Sequence, residues 1–99
     1  MITRISEFTL KPGVREEATQ VMTDLRERIL DMNGMVSFLA ILGEDRSGKV
    51  IVVAESRAVW DAQAAKAASI WAHFSPYIQS IPTQSTYEVV AHWSKGAKD

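Results

Sequence analysis

The amino-acid sequence predicts an α+β fold with the order strand, helix, strand, strand, helix, strand in a single domain of 99 residues. Three observations carry that prediction. Residues 2–10 and 84–93 alternate side chains with the period of two that a strand requires. Residues 14–32 and 57–75 repeat apolar side chains at steps of three and four, the spacing of an amphipathic helix. Residues 35–42 and 50–54 are two apolar runs joined by a short turn-forming segment.

In the first strand, Ile2, Arg4, Ser6, Phe8 and Leu10 share one face, and Thr3, Ile5, Glu7 and Thr9 share the other. Lys11-Pro12-Gly13 ends it, because proline cannot donate to a ladder and glycine permits a tight turn. The first helix presents Val14, Ala18, Val21, Met22, Leu25, Ile29 and Met32. Glu16 and Glu17 lie in its first turn, where the helix dipole favours negative charge. Asn33-Gly34 stops it, with Gly34 suited to the left-handed cap. Residues 43–49 contain Asp45, Ser47 and Gly48, so the runs on either side should pair as an antiparallel hairpin.

The second helix starts after Ser56, a good N-cap. Trp60, Ala64, Ala67, Trp71 and Ile78 fall within about 40° of one face at helical spacing. Its alanine density (Ala58, Ala62, Ala64, Ala65, Ala67, Ala68 and Ala72) favours helix. Pro76 clashes with the carbonyl of Ala72 and breaks or kinks it, and Ile81-Pro82-Thr83 is a second breaker. The six elements in this order make the split βαβ unit of a ferredoxin-like fold, a four-stranded antiparallel sheet with both helices on one face. The domain spans residues 1–99, with a core over 2–93 and a flexible polar tail at 94–99.

Composition excludes several functions. Lys and Arg number 11 against 12 Asp and Glu, a net charge of −1, which gives no electrostatic footprint for nucleic acid. The absence of cysteine excludes a disulfide framework, a thiolate nucleophile and any Cys-based metal site, and two histidines, His73 and His92, are too few for a His-only zinc site. No run approaches the ~20 apolar residues of a membrane span. No basic segment followed by an apolar stretch opens the chain, so the expected location is cytoplasmic. Catalytic triads, phosphate-binding glycine loops and carboxylate-rich metal motifs are also missing.

The hydrophobic fraction, 46%, is high for so small a chain. Two helices cover one face of a four-stranded sheet, and the other face should then alternate apolar and polar. The hairpin strands do not: Phe38, Ala40 and Leu42 lie on one face, Leu39 and Ile41 on the other, and residues 50–53 are apolar throughout. A bare apolar face of several hundred Å² is rare on monomers. A second copy packed sheet to sheet, as a two-fold homodimer, resolves this.

Several segments carry a family resemblance. Leu10-Lys11-Pro12-Gly13 after the first strand, Asn33-Gly34-Met35 closing the first helix, the junction Ala54-Glu55-Ser56-Arg57-Ala58-Val59-Trp60, and His73-Phe74-Ser75-Pro76-Tyr77-Ile78 are similar to the antibiotic biosynthesis monooxygenase (ABM) family of the dimeric α+β barrel superfamily. The match covers about residues 2–93. The resemblance implies a homodimer with one pocket per subunit between helices and sheet. It also implies oxidation of a small aromatic or quinone-type substrate by dioxygen, with no metal and no cofactor. Two other functions occur on the same fold: a non-catalytic small-ligand-binding or stress-response module, and haem binding or degradation. By the resemblance His73 stands where the haem-degrading branch has its ligand, but Ser6 and Gln63 stand where that branch has Asn and Trp. Gln63 also replaces a His found in many relatives.

Cofactor-free oxygenation needs an apolar, water-poor cavity, a proton acceptor and aromatic walls. Phe8 and Phe38 from the sheet and Trp60, Trp71, Phe74 and Tyr77 from the second helix are the candidate walls, unless they are simply core. His73 and Tyr77 are the candidate catalytic residues. On an ideal helix His73 lies roughly 140–160° from the Trp60/Trp71 stripe, and a kink at Pro76 would re-aim it. Arg4 and Ser6 share the strand face of Phe8. Arg4 there requires a partner, which is either a helix carboxylate or an anionic or phenolate substrate. With Gln63, these residues complete the candidate substrate-binding set.

Overall fold

The computed structural model describes residues 1–96. Of the 94–99 tail, residues 97–99 lie outside the described residues. The element order is β1 (Ile2–Thr9), α1 (Arg15–Asp24), α2 (Arg26–Leu30), β2 (Met35–Leu42), β3 (Ser47–Ala54), α3 (Arg57–Asp61), α4 (Ala64–Ala72), a 3₁₀ turn (Ser75–Tyr77) and β4 (Thr83–Glu88). The four strands form one sheet in the order β2-β3-β1-β4, antiparallel at every pairing. This is the ferredoxin-like arrangement expected from the sequence.

Each of the two expected helices is divided. The 14–32 helix breaks at Leu25, whose amide is shared between the carbonyls of Val21 and Met22 at 3.1 and 3.2 Å. The sharing tightens one turn and leaves Leu25 and Ile29 buried together with Phe74. The 57–75 helix breaks at Gln63, whose amide reaches back three residues to Trp60 instead of four. Ser56 caps α3 as expected, its hydroxyl accepting from the Val59 amide at 3.1 Å. The helical run ends at Ala72, and Pro76 sits in the following 3₁₀ turn, where its missing amide costs nothing.

The strand limits also differ from the sequence pattern, for one reason. Strand length is set by the neighbour that supplies hydrogen bonds. β3 begins at Ser47, three residues early, because Ser47 pairs with Thr9. β4 ends at Glu88, five residues early, because Glu88 pairs with Ile2 and β1 starts there. One further bond, from the Val89 amide to the Met1 carbonyl, closes the ladder.

The register sorts side chains into two layers. Facing the helices, Phe38–Val52–Arg4–Thr86 form one cross-strand row and Ala40–Val50–Ser6–Gln84 the next. Phe8 lies opposite Gly48, and a Cβ at Gly48 would strike the Phe8 ring. On the far face, Leu39–Ile51–Ile5–Ser85 and Ser37–Val53–Thr3–Tyr87 form the corresponding rows. The main core cluster is Met32, Val50, Val52, Ala54 and Trp60, between helices and sheet.

Candidate functional site

A cavity of about 230 Å³ opens between the helices and the inner face of the sheet. Its wall has contributions from β1, β2, β3, β4 and all four helices. The register divides that wall in two. The β2–β3 half is apolar, with Phe38, Val50 and Val52, and the helices add Met22, Ile29, Trp60, Ala64, Ala67, Ile70 and Trp71. The β1–β4 half carries Arg4, Ser6 and Gln84, and α3 places Asp61 beside them. The cavity is therefore an aromatic and aliphatic box with one polar end.

The polar end is held by three side-chain hydrogen bonds. The Arg4 Nε donates to Thr86 Oγ1 at 2.7 Å, its directly opposite neighbour across the β1–β4 ladder. The Arg4 Nη2 lies 3.1 Å from Asp61 Oδ1, with the two side chains 21% and 54% exposed. The pair is partly solvated, so it contributes little stability and chiefly holds the guanidinium in place. Ser6, 3% exposed, accepts from Gln84 Nε2 at 3.2 Å across the same ladder.

Trp71 is the aromatic hub. It meets Phe8 and Phe74 edge to face, each with ring centroids 6.0 Å apart. Met22, Trp71 and Phe74 also line a second cleft of about 470 Å³, together with Phe8, Leu10, Ala40 and Leu42. These three side chains form the partition between the two spaces.

Of the residues picked out from sequence, the structure brings Arg4, Ser6, Phe38, Trp60, Trp71 and Phe74 together around the cavity. Of the two partners open to Arg4 from sequence, the structure shows a helix carboxylate, Asp61. Phe8 stands one step away, at the second cleft. Gln63 does not join the site. It is buried at the α3–α4 break, where its Oε1 accepts from the Asn33 amide at 3.3 Å and ties two connections together.

His73 and Tyr77, expected as catalytic residues, are not among the residues that line this cavity. The reason is the direction each side chain takes after α4: Phe74 turns inward, while its neighbours do not. His73 is its exposed terminal cap, and no re-aiming occurs; its Nε2 lies 3.2 Å from Arg28 Nη1, so the guanidinium can donate to a neutral imidazole. Tyr77 packs instead against the Leu10, Ala18 and Ile78 cluster, and its carbonyl accepts from the Lys11 amide at 2.8 Å. With no His or Tyr among its lining residues, the cavity does not fit haem ligation. Among the described residues no group of three or more His, Cys, Asp or Glu could hold a metal ion.

Sequence reading missed Asp61, Gln84 and three methionines, Met22, Met32 and Met35, all of which line the cavity. Asp61 was legible only as one of two kinds of partner that Arg4 could take. Gln84 was not, because its partnership with Ser6 depends on the β1–β4 register.

No family model and no curated protein sequence matches the chain. Solved structures do. A protein of unknown function from Nitrosomonas europaea superposes with a TM-score of 0.80 at 15% identity, covering 97% of this chain and 95% of that one. A candidate antibiotic biosynthesis monooxygenase from Bordetella bronchiseptica gives a TM-score of 0.78 at 13% identity, covering 91% and 97%. An antibiotic biosynthesis monooxygenase gives 0.75 at 14% identity, covering 92% of this chain and all of the other. The chain has the antibiotic biosynthesis monooxygenase fold. On this ABM fold the cavity lies between the helices and the sheet.

Proposed function

We propose that this chain binds a small aromatic or quinone-type molecule between its helices and sheet and oxidises it with dioxygen, without a cofactor. One observation carries the reading: the cavity is walled by Phe38, Trp60, Trp71 and Phe74 and closed by one polar end. A volume of about 230 Å³ lies below the ~300–1,000 Å³ common for ligand sites and suits a compact ring system. Met22, Met32 and Met35 add unbranched, polarizable side chains that adjust to ring shape. In the reaction, an activated aryl methylene becomes a carbonyl. One oxygen atom of O₂ enters the product, the other leaves as water, and the substrate supplies all four electrons. The protein excludes water and orients the ring, and Arg4 and Ser6 hold the substrate oxygen.

The working unit in this proposal is a homodimer joined through the far sheet face. Leu39, Ile41 and Tyr87 are exposed there, and Val90 and Trp93, each 92% exposed, extend beyond the end of β4. No helix among the described residues is long and apolar enough to cross a membrane.

Oxygen uptake with a panel of anthrones and hydroquinones tests the activity. Tryptophan fluorescence during titration with anthraquinone tests binding, in a Trp93→Phe background that leaves the two cavity tryptophans as reporters. Quenching with uptake at the buffer rate makes the protein a non-catalytic binding module. The absence of both removes the ligand-binding reading.

A further inference from the structure

The proposed oxidation needs a group that takes a proton from the substrate, and the two residues singled out for that work lie elsewhere. We propose that Asp61 is the proton acceptor of the cavity, an inference that rests on the functional reading above. Among the described lining residues Arg4 and Asp61 are the ionisable groups, and Ser6 and Gln84 are neutral. A guanidinium is always protonated and has no lone pair to offer, and a serine hydroxyl or an amide is no base at neutral pH. Asp61 is the carboxylate that remains.

Its geometry suits the task. The Arg4 Nη2 holds Oδ1 at 3.1 Å, and among the described residues Oδ2 accepts no hydrogen bond. One oxygen is thus anchored while the other is open to a ligand. The side chain is 54% exposed at the cavity mouth, so a captured proton passes directly to water. Arg4 sits beside the carboxylate, and Ser6 projects from the same strand face two residues on. Both can donate to the oxygen on which negative charge develops. In the step, an acidic C–H of the substrate breaks, its proton joins Asp61 Oδ2, and the electron pair delocalises onto the substrate carbonyl oxygen as an enolate. The resulting carbanion is the species that reduces dioxygen.

Anaerobic deuterium exchange separates this step from the oxidation. Anthrone in D₂O, followed by proton NMR, reports proton removal from its methylene group with no oxygen present. The expected result is exchange accelerated by the wild-type protein and reduced about 100-fold in Asp61→Asn, in line with the usual contribution of a general base. Asp61→Glu should recover part of the rate. Asp61→Asn keeps an oxygen for Arg4, so its quenching by anthraquinone should stay within about twofold of wild type. Exchange at the buffer rate with wild type, or equal rates in wild type and Asp61→Asn, overturns the proposal. Asp61-dependent exchange without oxygen uptake supports the proposal and refutes the oxygenase reading.

Discussion

Arg46 and Asp45 show how a few side chains set the geometry around the site. Arg46 adopts φ +73°, a left-handed conformation uncommon outside glycine. It is held there on both sides. Its Nη1 donates to the Leu10 carbonyl at 3.1 Å, and its own carbonyl accepts from the Leu10 amide at 2.8 Å. The hairpin tip is thereby clamped to the end of β1, the strand that carries Arg4 and Ser6. Asp45 stabilises the turn, accepting from the Ser47 hydroxyl at 2.6 Å and from the Ser47 amide at 3.2 Å. The Ser47 hydroxyl first, then the Ser47 amide, holds the Asp45 carboxyl below its ordinary value of 3.8. A carboxyl lowered in the folded state contributes stability above the unfolded value, and that contribution is lost as pH falls through the folded value. The Asp45 carboxyl resonance should therefore titrate below 3.8, and the Ser47 amide should lose its exchange protection over the same acid range. Titration at or above 3.8 would show that the turn is not organised by this carboxylate.

The elements meet at connections whose local chemistry was readable in the chain. Ser56 and Pro76 mark ends where the sequence placed them, because capping and proline sterics act within a few residues, whereas the first helical stretch stops at Leu30 with Asp31 as its cap, before Asn33-Gly34. Gly34 forms the turn between that cap and β2. Its φ is +80°, and a Cβ there would run into Val59 of α3. Gly13, with φ +75°, has open space around it. Gly34→Ala should therefore cost about 3 kcal/mol, left-handed strain plus collision, and Gly13→Ala about 1 kcal/mol from strain alone. Urea midpoints with unchanged slopes would measure the pair. Equal losses would mean that Val59 moves aside freely. The helix interiors were less legible. The breaks at Leu25 and Gln63 carry no glycine or proline signal. They follow from a shared amide bond in one helix and from a buried glutamine satisfying a loop amide in the other.

For the whole molecule, the apolar excess noted in the sequence has two destinations. Part of it walls the cavity. The rest lies on the far sheet face, where Leu39 is 54% exposed and continues through Ile51 to Ile5. If that face joins two copies, wild type should sediment at twice the 11.0 kDa chain mass, and Leu39→Lys should shift it toward the monomer. A wild-type mass near 11.0 kDa at micromolar concentration would exclude the homodimer. The fold class, the strand faces and the aromatic candidates Trp60 and Trp71 could all be read from the linear chain, because hydrophobic period and turn chemistry are local properties. The membership of the cavity could not. His73 and Tyr77 had suitable chemistry, but one points out to Arg28 and the other packs on the Leu10, Ala18 and Ile78 cluster. Asp61, Gln84 and the three methionines entered the wall only through strand register and helix packing. Those are decided by which distant segments hydrogen-bond and fill the same space, and no local pattern encodes them.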